Sequence, residues 1–431
     1  MRTDPEKLEE RLPISPTTSD FSKRFGIHSS SFQSIQLELT STLEKIKDYK
    51  TVRTKLEYWG RSLEIVYGEP VESVNLFVRH TYLATLAKLI LYLHLEGEIP
   101  SSWKQITQIL DGTFFRNFGL LNFVEEDFFT WILLPELEIP VKKIILSLLQ
   151  QLLVYDLSLL NEDVFKGLYE ELVDPGVRHG LGEYNTPNWL AEYIVKDLLE
   201  MNPKASILDP TCGSGTFLFS SIKYIVPALK TEGMNNAKIL KHILKNVYGS
   251  DIHPLAVIIA KTNYLLSLKD LIRYREDSLS FPIFHADSLR KPVFLSGMKF
   301  DFIIGNPPWL SMRYIKDINY QKFVKDRSFH YNLIDKRDVH LFTHLEVATI
   351  FLYHSVDYYL KPGGILTFIM PKSVLVSSQH MNFRIFAKAQ MALLEVFDLE
   401  KVSPLFPVPS CVIKVQKKVK NNSKEKLKRG S

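Results

Sequence analysis

Four consecutive residues, Asn306-Pro307-Pro308-Trp309, are the first in this chain whose types could do chemistry. They follow an apolar run, Phe302-Ile303-Ile304-Gly305, that reads as a buried strand, so they stand where a strand gives way to a loop. The amino group of a flat heterocycle such as adenine is a poor nucleophile because its lone pair is delocalised into the ring. The Asn306 side-chain oxygen and the Pro307 carbonyl can each accept one of its two N–H bonds and draw that lone pair back onto nitrogen. Two prolines in succession fix φ twice and hold the carbonyls in one direction at little further entropic cost. Trp309 supplies a stacking face. Taken alone, the tetrapeptide reads equally well as a strand-to-loop turn.

About a hundred residues earlier, Ile207-Leu208-Asp209-Pro210-Thr211-Cys212-Gly213-Ser214-Gly215-Thr216-Phe217-Leu218-Phe219 reads as a strand, a Gly-x-Gly turn and an apolar helix start. Such a turn lets backbone approach a ligand, and the helix N-terminus behind it favours negative charge. A dinucleotide site would place a third glycine where Leu218 stands. S-adenosylmethionine has no phosphate, needs only the tight turn, and carries a carboxylate suited to exposed N–H groups. Two further carboxylates end apolar runs, Asp251 after Val247-Tyr248-Gly249-Ser250 and Asp287 after Ile283-Phe284-His285-Ala286. The first could accept both ribose hydroxyls and the second an adenine amino group, although either alone is also a common helix-capping or turn Asp. Together with Asp209 and Asn306 they make four strand ends carrying polar side chains, the place where open α/β sheets bind ligands.

The elements needed to position these residues alternate. Helical stretches near 188 to 200, 216 to 230, 254 to 268, 341 to 360 and 378 to 389 fall between runs ending at Asp209, Asp251, Asp287 and Asn306, then Gly363 to Met370 and Leu393 to Leu399. That predicts an α/β fold, doubly wound on a mostly parallel sheet. Leu360-Lys361-Pro362-Gly363-Gly364 reads as a helix stop and turn, and Cys411 to Val415 as a last strand returning antiparallel.

In order and spacing these motifs resemble the adenine-specific (N6) DNA methyltransferases, particularly the modification enzymes of restriction systems. Gly182-Glu183-Tyr184-Asn185-Thr186-Pro187 looks like that family's Tyr-x-Thr-Pro cofactor lid, and also reads as an N-cap Thr with Pro at the first helical position. The resemblance covers residues from about 165 to 416. It implies a Rossmann-like fold that binds S-adenosylmethionine, with an antiparallel last strand. Tyr184, Thr186 and Pro187 would cover the cofactor, while Asp209, Pro210, Thr211, Cys212, Gly213, Gly215 and Phe217 would border its methionine. Asp251 and Ile252 would take the ribose, and Asp287 and Ser288 the adenine ring. Asn306, Pro307, Pro308 and Trp309 would be catalytic, with Asn306 also beside the cofactor. Phe406, in Phe406-Pro407-Val408-Pro409-Ser410-Cys411-Val412-Ile413, would stack with Trp309 on a flipped target base.

DNA is then the expected partner, and transfer a direct displacement, since no Cys stands beside Asn306 as a covalent mechanism would need. Extruding a base from the duplex costs a few kcal/mol, partly offset by stacking. The segment Leu310 to Leu341 mixes Arg313, Tyr314, Lys316, Tyr320, Lys322, Lys325, Arg327 and Tyr331 with four acids, and reads as a loop over nucleic acid or a solvated insertion. His253 after Asp251 reads as a structural His-Pro helix opening. No target-recognition domain is read after Phe406, so sequence recognition is expected from a specificity subunit or from the missing segment of a split or truncated enzyme. The remaining readings are methylation of RNA adenine or protein glutamine, or an inactive cofactor-binding scaffold.

Residues 1–160 show no strand pattern and read as a helical domain, with runs at Phe32 to Tyr67, Val71 to Leu95 and Val141 to Leu160, ahead of a catalytic domain over 161–416. Leu83 to Leu95 is short and contains Lys88, with Arg79 and His80 just before it, which argues against a membrane span. Met1-Arg2-Thr3-Asp4 shows no signal peptide, and Cys212 and Cys411 make neither a Cys-x-x-Cys metal site nor a disulfide framework, which fits a cytoplasmic protein. The net charge is +5, but Lys414 onward holds eight cations against Glu425, so the rest carries about −2 and the basic tail over 417–431 reads as disordered.

Overall fold

The computed structural model describes residues 14–64, 68, 70–124, 128–160, 162–172, 182–386, 390–402 and 405–419. Seven strands form one sheet: β1 (Ile207–Asp209), β2 (Val247–Asp251), β3 (Ile283–His285), β4 (Phe300–Gly305), β5 (Leu360–Pro371), β6 (Met391–Asp398) and β7 (Ser410–Lys417). Their order is β3-β2-β1-β4-β5-β7-β6. The first five run parallel, and β7 lies antiparallel between β5 and β6. The strand order reverses between β1 and β4, so the crevice beyond their carboxyl ends is the ligand position this topology provides. β1 and β4 are buried almost throughout, as strands covered on both faces must be.

The described N-terminal residues are helical: α1 (Thr18–Phe25), α2 (Ser30–Ile46), α3 (Lys50–Ser62), α4 (Val74–Glu96), α5 (Trp103–Leu110), α6 (Thr113–Asn117), α7 (Glu138–Leu152) and α8 (Phe165–Leu172). Thr17, Ser29, Ser73 and Ser102 cap four of them through side-chain oxygens, and Gly97, at φ 78°, closes α4. Among the described residues α4 alone is long and apolar enough to cross a membrane, yet 89% of its apolar window is buried inside the protein. It packs against α12 (Pro254–Leu268), the helix that follows β2. One apolar core therefore runs from Phe21 to Val415 through helices and sheet alike.

The other helices are α9 (Asn188–Leu199), α10 (Thr216–Thr231), α11 (Asn236–Asn246), α13 (Ile318–His330), α14 (Val347–Tyr358) and α15 (Ser373–Val376). Several expectations are corrected. Helix α9 begins at Asn188 with Pro187, which has no side-chain acceptor, at the N-cap, so Thr186 does not cap it; the Thr186 carbonyl accepts from Lys166. The described part of the stretch 378 to 389 is a short 3₁₀ turn and loop, its Phe383 carbonyl taken by the Tyr353 hydroxyl, while the Arg384 side chain reaches back to the carbonyls of Val374 and Ser377. Residues 387–389 lie outside the described residues. The Pro362-Gly363-Gly364 turn sits inside β5, whose register against β4 jumps from Leu360 to Ile365 with Gly363 at φ 80°. The segment after Trp309 is no open loop, since Asp317 caps the 13-residue α13 through the amides of Asn319 and Tyr320. Of the tail, Lys417 ends β7 and donates to the last carbonyls around α14, while residues 420–431 lie outside the described residues.

Candidate active site

Asp209, Asp251 and Asn306 stand at or just past the carboxyl ends of β1, β2 and β4, with Asp287 two residues past β3. All four line one cavity holding about 1130 Å³ of open space, its mouth included. The same wall carries Tyr184, Thr186, Pro210, Thr211, Cys212, Gly213, Phe217, Ile252, Ser288 and Pro308. The sequence therefore brought together most of what it named. Pro187, Gly215, Pro307, Trp309 and Phe406 do not reach this cavity wall.

Each glycine of the turn has its own reason. Gly213, at φ 52°, has nothing within 4 Å of where a Cβ would stand, so its open side is free for a ligand, whereas Gly215, at φ 89°, abuts Ala260 of α12 at 3.1 Å. The backbone is fixed from both sides: Gly213 N donates to Asp251 Oδ2 at 2.8 Å, Cys212 N to the Ser250 carbonyl, and Thr211 N to Asp209 Oδ1 at 3.1 Å. Asp251 also caps His253 N at 2.9 Å, and Asp287 caps Leu289 N at 2.9 Å, so side chains that line the cavity also cap their own turns.

Burial pushes the pKa values of all three carboxyls up: Asp209 furthest, with Asp251 adding like charge, then Asp251 and Asp287 against the donors that hold them down. Cys212, buried between Asp209 and Asp251, has its thiol pushed well above its ordinary value, the opposite of an activated nucleophile. His253 is held neutral, its pKa lowered to about 3 by burial and by His285, and its Nδ1 accepts from Leu255 N at the start of α12.

The Asn306 amide is locked. Its Nδ2 donates to the Tyr184 carbonyl at 2.6 Å, which turns Oδ1 the other way, and that oxygen is buried without a hydrogen-bond partner. Asn185 Nδ2 and Thr211 Oγ1, on the same cavity wall, are also buried and unpartnered. Three orphaned polar atoms and three carboxylates around a cleft of this size fit an adenosyl ligand that brings both donors and acceptors. Gly182 holds the lid against the Asn-Pro-Pro-Trp segment: its carbonyl accepts from Trp309 N at 2.7 Å, and a Cβ there would fall 2.3 Å from the Trp309 carbonyl carbon.

Trp309 and Phe406 do meet, with Tyr184 as the third ring. Trp309 lies 4.8 Å from Tyr184 and 4.9 Å from Phe406 between centroids, the latter pair edge to face at 62°. The two rings expected to sandwich a base therefore touch each other, and this conformation leaves no base-wide gap between them. Trp309 is only 7% exposed and faces a second, outer groove with Tyr184, Glu346, Lys372 and Pro409.

Sequence reading missed several wall residues. Tyr320 was grouped with the nucleic-acid-facing segment, but it lines the main cavity beside Asp287, while the Arg290 guanidinium lies over its ring. Leu310, Val347 and Phe351 add apolar wall from the loop after Trp309 and from α14. Glu346, just before α14, has a buried Oε2 without a partner, and burial raises its pKa to about 6 against the opposing Arg313 charge. No local signal marks any of these, because each is recruited by helix packing. Among the described residues there is no cluster of His, Cys, Asp and Glu able to hold a metal.

A seven-stranded sheet with an antiparallel strand inserted next to β5, and a cofactor turn without the third glycine, defines the fold of the S-adenosylmethionine-dependent methyltransferases. The chain belongs to the N-6 DNA methylase family, which matches residues 160–387, more than half of its length. The type I restriction enzyme MjaVII methylase subunit of Methanocaldococcus jannaschii is 32% identical over 137 residues, covering 32% of this chain and 20% of that protein. The type I restriction enzyme EcoEI methylase subunit of Escherichia coli is 26% identical over 149 residues, covering 34% and 27%. These matches thus span about a fifth to a quarter of those relatives. Among solved structures, the DrdV-DNA complex aligns over 93% of this chain and 41% of that one with a TM-score of 0.61 at 14% identity, which is a likeness of fold.

Proposed function

We propose that this chain transfers a methyl group from S-adenosylmethionine to the 6-amino group of an adenine extruded from DNA. The observation that carries the reading is the Asn306 amide, whose nitrogen is tied to the Tyr184 carbonyl and whose buried oxygen is left as an unused acceptor at the cofactor cavity. The cofactor's sulfonium carries the methyl in transferable form. Asn306 Oδ1 accepts a hydrogen bond from one amine N–H and the Pro307 carbonyl from the other, so the lone pair is localised on nitrogen and aimed inward, and the proton shed by the methylated amine passes to solvent. Asp251 receives the ribose hydroxyls with the lone pairs its two backbone bonds leave free, and Asp287 with Tyr320 faces the cofactor's adenine edge. Both buried cysteines are protonated, Cys411 with its pKa pushed up to about 12 by burial, so displacement proceeds without an enzyme thiolate.

For the target base, Trp309 and Phe406 must part from their edge-to-face contact, and we assign the outer groove beside Tyr184 and Glu346 as the side from which the base arrives. Sequence recognition is assigned to a partner. Two relatives are methylase subunits of type I restriction enzymes, which supports a division of labour between methyl transfer and recognition. The test is calorimetric binding of S-adenosylmethionine to the purified chain, followed by mass spectrometry of DNA, RNA and protein methylated with an isotopically labelled cofactor. The expected result is cofactor binding, weak DNA methylation by the isolated chain, and strong N6-adenine methylation when a recognition subunit is added. Label on RNA or glutamine, or robust sequence-specific methylation by the chain alone, would overturn the assignment.

A further inference from the structure

The residues just before α8 reach into the cofactor turn. Asp163 is 1% exposed, and its carboxylate gathers five donors. Oδ1 accepts from Phe165 N at 3.1 Å, Lys166 N at 3.0 Å and Asn263 Nδ2 at 2.6 Å. Oδ2 accepts from Ser214 Oγ at 2.5 Å and Thr216 Oγ1 at 3.0 Å. Ser214 and Thr216 flank Gly215 within the turn, and Asn263 also donates to the Ser214 carbonyl at 2.8 Å. The carboxylate and the Asn263 amide thus hold the turn from behind, opposite the face that Gly213 opens to the cavity.

The neighbouring residues extend this anchorage. Lys166 Nζ donates to the Thr186 carbonyl, so the first turn of α8 also grips the lid. Glu162 accepts from Thr18 N at 2.7 Å and from Asn188 Nδ2 at 3.3 Å, and the Asp163 carbonyl accepts from Thr18 Oγ1 at 3.0 Å. The starts of α1 and α9 are therefore tied to the same two residues.

We infer that Asp163 is a positioning residue for the cofactor: through Ser214, Thr216 and Asn263 it presets the Gly213-Ser214-Gly215 backbone in its ligand-ready shape, and it joins that turn to the N-terminal helices. This rests on the cavity being an S-adenosylmethionine site. A carboxylate bonded only to donors fixes the two hydroxyl rotors of the turn, while the amides of Phe165 and Lys166 anchor it to the start of α8, and a flexible turn would otherwise lose that freedom on binding. Truncation leaves Ser214, Thr216 and Asn263 buried with unmet donors, whereas Asn keeps one acceptor oxygen and an amide toward which the hydroxyls can turn.

The experiment is calorimetric titration of S-adenosylmethionine into the full chain as wild type, Asp163→Ala, Asp163→Asn and Phe165→Leu, with thermal unfolding of each. Asp163→Ala is expected to weaken binding about tenfold or more, the loss of a charged hydrogen-bond acceptor, and Asp163→Asn to recover most of it. Phe165→Leu disturbs the packing of the same helix without touching the turn, so it should lower Tm with affinity within about twofold of wild type. Should Asp163→Ala fail to fold, Ser214→Ala takes its place, with an expected loss of about threefold or more from one hydrogen bond. Wild-type binding matched by the Asp163 or Ser214 variants, or affinity that merely follows Tm across all variants, overturns the positioning role. No binding by the wild type overturns the cofactor reading and this inference with it.

Discussion

Replacing Asn306 with Ala separates stability from chemistry more cleanly than any other change at this site. The substitution removes one hydrogen bond, Nδ2 to the Tyr184 carbonyl at 2.6 Å, worth about 1 kcal/mol net. It also removes Oδ1, a buried acceptor without a partner, whose desolvation costs the folded state about 1–3 kcal/mol. The two nearly cancel, so Tm should move by less than about 3 °C. Transfer should suffer far more. In the proposed transfer Asn306 Oδ1 is one of two acceptors that localise the amine lone pair, and losing one preorganised group of this kind costs about 10²–10³ in rate. The assay is single-turnover methylation of an adenine-containing duplex by the chain with its recognition partner, with cofactor affinity measured in parallel. Methylation within a few-fold of wild type would refute the catalytic role. A large fall in Tm would refute the claim that the amide is held at an energetic disadvantage for function.

Other outcomes follow from the same geometry. Gly182→Ala places a Cβ 2.3 Å from the Trp309 carbonyl carbon at φ 68°, so the left-handed penalty of about 1–2 kcal/mol adds to a backbone clash; a Tm drop with lost methylation is expected, and an unchanged Tm would contradict the close approach. Glu346, with its pKa raised from 4.5 to about 6 by burial, contributes stability that is full below about 4.5 and is lost as pH rises through about 6, up to about 2 kcal/mol. Glu346→Gln should flatten that part of a pH-dependent unfolding series, and an identical profile would show that the carboxyl is not strained by burial. Phe406→Ala should weaken capture of an extruded base by about tenfold or more, read from 2-aminopurine fluorescence in a target duplex, because base–aromatic stacking is worth about 1–3 kcal/mol. Cofactor affinity should stay the same, since Phe406 lies off the cofactor wall; a loss of cofactor binding instead would relocate it.

The amino-acid sequence by itself determined the parts of this protein that are written in short-range pattern. Apolar runs closed by Asp209, Asp251 and Asn306 became parallel strands with those residues at their carboxyl ends, because strand periodicity and a terminating polar residue are local properties. The Gly213-Ser214-Gly215 turn was likewise legible, since a left-handed backbone leaves glycine as its mark. Local pattern failed where a side chain rather than the backbone ladder satisfies the chain, as at the Phe383 carbonyl, and where a turn was absorbed into a bulged strand at Gly363. Only the tertiary structure decided which way the Asn306 amide faces, through a carbonyl 122 residues away, and that Trp309 leans on Phe406 with no gap between them. It likewise turned Tyr320 toward Asp287 and placed Asp163 behind the cofactor turn. Such contacts join segments whose separation carries no periodic signal; they exist because burying one shared core brings their donors and acceptors together, where each must find a partner or be left wanting one.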